Sequence, residues 1–352
     1  MLRSSWYNTL GVKDQKNSPG KMGLSVLLWW LGGVVAVLAV LIVGFGIVYR
    51  RIAGVSSSKT SMKGKTVIIT GASAGIGMEA ARDMARRGAR VILACRNLTK
   101  AAGVAADIQT STGNSDVVVR ELDTSSLASV RAFAANVLAT ESRLDVLVLN
   151  AGIGGLDERQ LTSDGLEMTM ATNHFGHFLL GNLLLGLLKK CSPSRIVVTS
   201  SDSHGHISDF NPKNLNFEKG GFGPYRSYCQ SKLCNVLFAR HLSHLLADTG
   251  VVVNSHCPGL VATEIFQKSG GFLVGKLFRF LALFMSKTVE QGAQTIIHLA
   301  TAPETATISG KFFMDCKVSQ VESTYGRDNA LAKIVWEESE QIVGLKPEEK
   351  HY

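Results

Sequence analysis

The apolar residues of this chain change their period along its length. From 22 to 49 no charged residue interrupts a run rich in Leu, Val, Ile, Trp and Gly. That run is long enough for a bilayer core, which needs about 20 apolar residues. Trp29 and Trp30 lie within it, and Tyr49, Arg50 and Arg51 close it as interface anchors do. Further on, short β-branched runs alternate with stretches whose apolar residues recur at helical spacing. This pattern predicts strands over 65–70, 90–94, 116–121, 145–149, 195–199, 251–256 and 311–314. Helices fill the intervals, centred on 79–86, 100–108, 126–138, 166–185 and 228–245. Apolar strands alternating with amphipathic helices predict an α/β domain, a doubly wound parallel sheet with helices on both faces, preceded by one N-terminal transmembrane helix.

The chain divides accordingly into a polar N-terminal segment (1–21), a transmembrane anchor (22–49), a linker (50–62), the α/β domain (63–320) and a helical C-terminal tail (321–352). A cleaved secretory signal competes with the anchor. Such a signal has a shorter apolar core nearer the N-terminus and a small-residue cleavage site, so an uncleaved anchor is expected. Arg50, Arg51, Lys59, Lys63 and Lys65 follow the run, against Arg3, Lys13, Lys16 and Lys21 before it. This excess leans toward a cytosolic C-terminal domain.

Composition narrows the function. The 352 residues are 45% hydrophobic, enough to bury a full core, and 37 basic against 28 acidic residues give a net charge of +9. No basic stripe interleaved with aromatics appears, which excludes a nucleic-acid role. Cys95, Cys191, Cys229, Cys234, Cys257 and Cys316 show no paired metal spacing and are expected as reduced thiols facing a reducing compartment. His174, His177, His204 and His206 lack acidic or cysteine partners and are expected to be structural or on the surface.

The first strand runs into Thr70-Gly71-Ala72-Ser73-Ala74-Gly75-Ile76-Gly77, and a helix follows. Gly71 suits the tight turn, Gly75 lets the backbone approach a pyrophosphate, and Gly77 lets the helix pack close to the strand. Free N–H groups at the helix start then face the phosphates, with Ser73, Ala74 and Ile76 beside them. Arg96 follows the second strand, where an NAD-preferring protein has a carboxylate for the ribose. Its guanidinium suits a 2′-phosphate, so NADP(H) is the expected cofactor. Asp123, past the third strand, can bond an adenine amino group or cap the next helix with Thr124 and Ser125. Asn150-Ala151-Gly152 ends the fourth strand with small residues that admit close contact with a cofactor, although a plain turn explains them nearly as well. Asn97-Leu98-Thr99 is a glycosylation sequon by pattern, expected to be unused beside a cofactor site.

Tyr228 and Lys232 stand one helical turn apart on the same face. A nearby ammonium is expected to lower the phenol's pKa so that it can give or take a proton. Tyr225 shares the face but lies about 10 Å of axial rise from Lys232, too far for that coupling. Ser200 and Ser201 follow the fifth strand at the carboxyl edge, where a hydroxyl can donate to an oxygen gaining charge. Asn173 falls inside a helical stretch that it disfavours, which points to a bond with backbone or ordered water.

Taken in order, the glycine turn, Asn150-Ala151-Gly152, Asn173, the serine pair, Tyr228 to Lys232, and Pro258-Gly259-Leu260-Val261-Ala262-Thr263 resemble the short-chain dehydrogenase/reductase family, with its Rossmann fold. The resemblance implies that Tyr228 is the general acid/base. Lys232 then binds the nicotinamide ribose, and Ser201, or Ser200 one position earlier, polarises the substrate oxygen. Asn173 supports Lys232 through a proton-relay water, and Pro258, Gly259, Val261 and Thr263 lie along the nicotinamide. The anchor, Ala94-Cys95-Arg96-Asn97, the 173–178 stretch and the long 203–224 insertion look like the microsomal retinol dehydrogenase branch. That branch uses NADP(H) and interconverts retinoids, and some members act on other lipid aldehydes or steroids. It implies an endoplasmic reticulum membrane.

The 266–286 stretch is apolar and punctuated by Lys276 and Arg279, with Lys287 following. It can line a lipid pocket and touch membrane lipid, or serve as a core or homodimer helix. A lipophilic small-molecule substrate drawn from the lipid phase is expected. A protein that binds NADPH without catalysis is the alternative, against which the complete set of Tyr228, Lys232, Ser201 and Asn173 argues.

Overall fold

Val67, Ile68 and Ile69 are fully buried, and the strand that they form, β1 (Thr66–Thr70), is the axis of the domain. The computed structural model describes residues 19–261, 284–320 and 322–352. Strand β1 pairs in parallel with β2 (Arg90–Cys95) on one side and with β4 (Val146–Leu149) on the other. The sheet grows outward from there, with β3 (Val117–Glu121) beyond β2, and β5 (Ser194–Thr199), β6 (Val251–Cys257) and β7 (Phe312–Met314) beyond β4. All these pairings are parallel, and the two-residue β8 (Lys317–Val318) closes one edge antiparallel. The order reverses at β1, which opens a crevice at the carboxyl ends of β1 and β4.

Helices cover both faces, as the alternating pattern predicts. One face carries α2 (Gly75–Arg86), α3 (Leu98–Thr112) and α8 (Val289–Thr301). The other carries α4 (Leu127–Thr140), α6 (Gly176–Lys190), α7 (Pro224–Leu245) and α9 (Asn329–Val343). On α9, Trp336 stacks on Phe238 with ring centres 5.8 Å apart, and it meets Phe178 edge-on at 4.8 Å. Aromatic pairs at these separations add to the burial itself. The helix of the C-terminal tail is therefore packed on the same core as β1, α6 and α7.

The 166–185 helix is interrupted. A single turn, α5 (Met168–Met170), leads into a π-helical turn over Ala171–Phe175, and regular α-helix resumes only at α6. The N–H of Gly176 reaches back to Ala171, the five-residue span of a widened turn. Helix α8 was not expected from the apolar pattern, yet a capping box starts it: Thr288 accepts from Gln291 N while the Gln291 side chain accepts from Thr288 N.

The N-terminal helix α1 runs over Pro19–Arg51, two to three residues longer at each end than the expected anchor. Its apolar part is long enough to cross a membrane, and its large apolar side chains from Val26 onward, Trp29 and Trp30 among them, are exposed. The chain separates into two compact units, Met1–Phe45 and Gly46–Tyr352, so the last turn of α1 belongs to the globular unit.

Candidate active site

Thr70, the last residue of β1, joins two turns. Its hydroxyl oxygen accepts the main-chain N–H groups of Asn150 and Ala151 at 2.8 and 2.9 Å and lies 2.9 Å from His177 Nε2. Asn150 returns a bond from Nδ2 to the Thr70 carbonyl at 3.0 Å. The glycine turn and the Asn150-Ala151-Gly152 turn are thus one structure.

Gly71 has φ +67°, a left-handed conformation that favours glycine, and a β-carbon there would lie 2.8 Å from Ala151 Cα. A β-carbon on Gly77 would lie 2.5 Å from Asn150 Nδ2 and 2.8 Å from the Gly71 carbonyl oxygen. Gly77 therefore makes room for the neighbouring turns as well as for the strand. Gly75, with φ +59°, begins α2. Ala74 precedes it in extended conformation and offers no capping side chain, and the first turn of α2 carries no acidic residue. An uncapped helix start behind a turn without side-chain bulk fits a bound phosphate. Ser73 has its side chain beside the buried Cys95 thiol.

Arg96, at the end of β2, is 68% exposed, and its guanidinium stands 3.8 Å from the Asp123 carboxylate. Asp123 Oδ1 accepts from the N–H and the hydroxyl of Ser125, while Ser126 is the residue that caps α4. Asn97 of the sequon is taken up as the cap of α3, accepting from Lys100 N at 2.9 Å.

Helix α7 brings Tyr228 and Lys232 under the carboxyl edge, 9% and 2% exposed. Lys232 Nζ is 5.6 Å from the centre of the Tyr228 ring and donates to the Thr199 carbonyl at 3.3 Å. The serine pair splits. Ser200 Oγ donates to the Lys232 main-chain carbonyl at 2.7 Å, turned into the protein, whereas the Ser201 side chain stays in the crevice beside the Tyr228 phenol. Ser201 Oγ also donates toward Asp202 Oδ1 at 3.0 Å.

Asn173 sits in the π-helical turn, and the widened backbone is where its side chain finds partners. Oδ1 accepts from Ile153 N at 2.8 Å, and Nδ2 donates to the Ile153 carbonyl and to Ser231 Oγ, both at 3.0 Å. Gly152 links it to the lysine. A β-carbon at 152 would lie 3.2 Å from Asn173 Oδ1 and 3.6 Å from Lys232 Nζ. Asn235 went unnoticed in the sequence. Its Nδ2 donates to both the Asn173 and Thr199 carbonyls, tying the π-turn to the strand end that holds Lys232. Its place one turn beyond Ser231, toward the same face of α7, is the signal that was there to read.

One electrostatic expectation is corrected. Lys232 was expected to draw the Tyr228 pKa down, but burial holds the phenol above its ordinary value, and the hydrogen bond from Ser201 opposes this only in part. Burial also lowers Lys232 itself, to about 8. Both charged forms lose their hydration together, and the attraction between them does not make up the loss.

Gly259 has φ +81°, and its N–H reaches Cys257 Sγ at 3.3 Å, a sulfur that also accepts from Asp202 N at 3.2 Å. This shared sulfur puts Pro258 and Gly259 next to the Ser201-Asp202 turn, and Val261 packs in the core cluster that holds Ile76, whereas Thr263 and most of the 266–286 stretch lie outside the described residues. His174 and His177 are fully buried, with neutral partners in Asn235, Ser339, Thr70 and the Asn173 carbonyl. Among the described residues no cluster of side chains suits a metal ion, and the six cysteines are unpaired.

A short chain dehydrogenase family model matches residues 65–212. The chain is 44% identical over 296 residues to retinol dehydrogenase 12 of Bos taurus, with 83% of this chain and 90% of the relative aligned. It is likewise 44% identical over 292 residues to retinol dehydrogenase 11 of Homo sapiens, with the same coverage of 83% and 90%. This chain belongs to the short-chain dehydrogenase/reductase family. A crystal structure of an uncharacterised protein from Mycobacterium paratuberculosis, 32% identical, covers 83% of this chain and 98% of its own with a TM-score of 0.66. A structure from Escherichia coli titled a short chain dehydrogenase complexed with NADPH is 25% identical, covers 72% and 97%, and gives a TM-score of 0.56. Membership makes the chain an oxidoreductase acting on CH–OH groups with a nicotinamide cofactor, of the retinol dehydrogenase-like type.

Proposed function

We propose that this membrane-anchored oxidoreductase uses NADP(H) to interconvert a lipophilic alcohol and its aldehyde or ketone, with a retinoid as the first candidate substrate. The observation that carries the reading is the meeting of Tyr228, Ser201 and Lys232 at the carboxyl edge beside the glycine turn. The names of the relatives supply the retinoid.

In this reading the uncapped start of α2, with Gly71, Ser73, Ala74, Gly75, Ile76 and Gly77, holds the pyrophosphate. Arg96 takes the 2′-phosphate, and Asp123, Asn150, Ala151 and Gly152 line the adenosine and ribose side. Pro258, Gly259, Val261 and Thr263 flank the nicotinamide, which supplies or accepts the hydride when bound. Tyr228 Oη passes a proton to the substrate oxygen during reduction and takes it back during oxidation. Ser201 Oγ swings from Asp202 to donate to the same oxygen as charge develops there. Lys232, fixed by the Thr199 carbonyl, holds the ribose and returns the proton, and Asn173 supports it from the π-turn. The raised phenol pKa suits the donor role, because a neutral phenol is the form that gives a proton.

An apolar α1 long enough to cross a membrane suits substrates that dissolve in lipid, such as retinal, fatty or isoprenoid aldehydes and ketosteroids. The charge flanking α1 supports a domain that faces the cytosol, and the likeness to the retinol dehydrogenases supports an endoplasmic reticulum membrane. The test is purified full-length protein with NADPH or NADH against a panel of these carbonyls. Turnover of retinal with NADPH well above NADH is expected, and no turnover of any carbonyl would overturn the reading.

A further inference from the structure

The last turn of α1 grips the segment over 258–261. The Tyr49 hydroxyl oxygen accepts the main-chain N–H of Leu260 at 3.0 Å. Gly259 lies so close beneath it that a β-carbon there would stand 2.5 Å from that oxygen and 2.8 Å from Lys287 Nζ. Lys287, 2% exposed, places its ammonium 5.2 Å from the centre of the Tyr49 ring, 3.4 Å from the Pro258 carbonyl and 2.6 Å from the Asp315 carboxylate. Its own N–H donates to the Leu260 carbonyl at 2.8 Å.

The neighbouring residues fix the same turn in place. Arg50 Nε donates to the Ser286 carbonyl at 2.8 Å, Gln291 Nε2 donates to the Arg50 carbonyl at 2.9 Å, and Gly54 N donates to Asp315 Oδ1 at 2.9 Å. Among the described residues, the 258–260 backbone is otherwise held by a sulfur, a weak acceptor, and by the Lys287 contacts.

We propose that Tyr49, backed by Lys287, is a positioning residue for the 258–261 segment, so that the end of the membrane anchor sets part of the affinity for NADP(H). The inference rests on the reading of 258–261 as the nicotinamide flank. Tyr49 touches neither hydride nor proton. It holds Gly259 in its left-handed conformation and keeps the Leu260 peptide plane fixed, which reduces the ordering that the cofactor must impose on binding.

The test uses the full chain in detergent micelles, as wild type, Tyr49→Phe and Lys287→Met. NADPH affinity is read by nucleotide fluorescence, and amide exchange is followed in the peptide that contains Leu260. Tyr49→Phe removes one hydrogen bond and keeps the ring. It is expected to raise the NADPH Kd by a factor of about five. It should also speed exchange at Leu260 in the cofactor-free protein and leave kcat at saturating NADPH within about twofold. Lys287→Met is expected to move Kd the same way, and Tyr49→Phe decides the matter if that variant does not fold. An unchanged Kd in Tyr49→Phe overturns the proposal, and with faster exchange it reduces the contact to a structural one. Wild-type protein that binds no NADPH would instead remove the cofactor reading beneath it.

Discussion

The two edges of the sheet treat buried charge in opposite ways. At the amino edge, Asp145 is 3% exposed, yet it is met by Lys65 Nζ at 2.9 Å, by Arg143 at 2.7 and 2.8 Å and by Thr66 N at 2.9 Å. Glu141 beside it is held by Arg90 and Arg120. Burial alone would raise both carboxyls, but the surrounding cations hold them below their ordinary values. At the carboxyl edge, Lys232 and Tyr228 are as deeply buried, no carboxylate among the described residues pairs with Lys232, the Asp202 carboxylate adds to the rise at Tyr228, and both groups are pushed toward the neutral form. The first arrangement stabilises the fold; the second leaves a cation and a phenol whose partners, in the proposed function, arrive with cofactor and substrate.

Acid sharpens this contrast most. Behind the carboxyl edge, burial lowers His174 to about 4 and His177 and His256 to about 3, against an ordinary 6.5. A depressed folded pKa gives stability that is complete above the unfolded value and lost as pH falls toward the folded one. Each histidine then withdraws about 1.4 kcal/mol per pH unit below roughly pH 6, and three withdraw about 4. The carboxylates at the amino edge lose their contribution only nearer pH 4 and below. Chemical denaturation should therefore show stability dropping by several kcal/mol between pH 6 and 5, and a flat profile down to pH 4.5 would break the account.

Lys232→Met removes a buried cation that has no buried counter-charge among the described residues. Activity is expected to fall by roughly a hundredfold or more. The melting midpoint of the cofactor-free protein should hold or rise, because no charge then needs desolvation. A clear loss of stability would show that Lys232 is paired as the amino-edge groups are. Asp145→Ala is the converse. Calorimetry should show a loss of roughly 2–3 kcal/mol, with NADPH affinity unchanged. Arg96→Asp acts at the rim, where exposure weakens the effect. It is expected to weaken NADPH about tenfold and to favour NADH, and an unaltered ratio would assign the 2′-phosphate to another residue.

Much of this was legible in the chain because the strands are short β-branched runs, and Val67 to Ile69 can only be interior. The glycine turn and the Tyr228 to Lys232 spacing carried the position of the candidate site that the proposed function uses. What stayed hidden depends on contacts distant in sequence. The π-turn at Asn173 exists because Ile153 and Ser231 claim its side chain, and helical periodicity alone predicts a continuous helix there. Ser200 and Ser201 are indistinguishable as letters and separate only when one bonds the Lys232 carbonyl and the other stays in the crevice, bonded to Asp202. The rise of the Tyr228 pKa follows from burial, which spacing does not report. Tyr49 meets Leu260 across 211 residues, and nothing local marks it as more than an interfacial aromatic.

The most direct measurement is single-turnover reduction of retinal by Tyr228→Phe, with NADPH affinity measured on the same preparation. Loss of the phenol hydroxyl should cut the rate by about a thousandfold or more while the NADPH Kd stays within about threefold. A rate within tenfold of wild type would contradict Tyr228 as the proton donor.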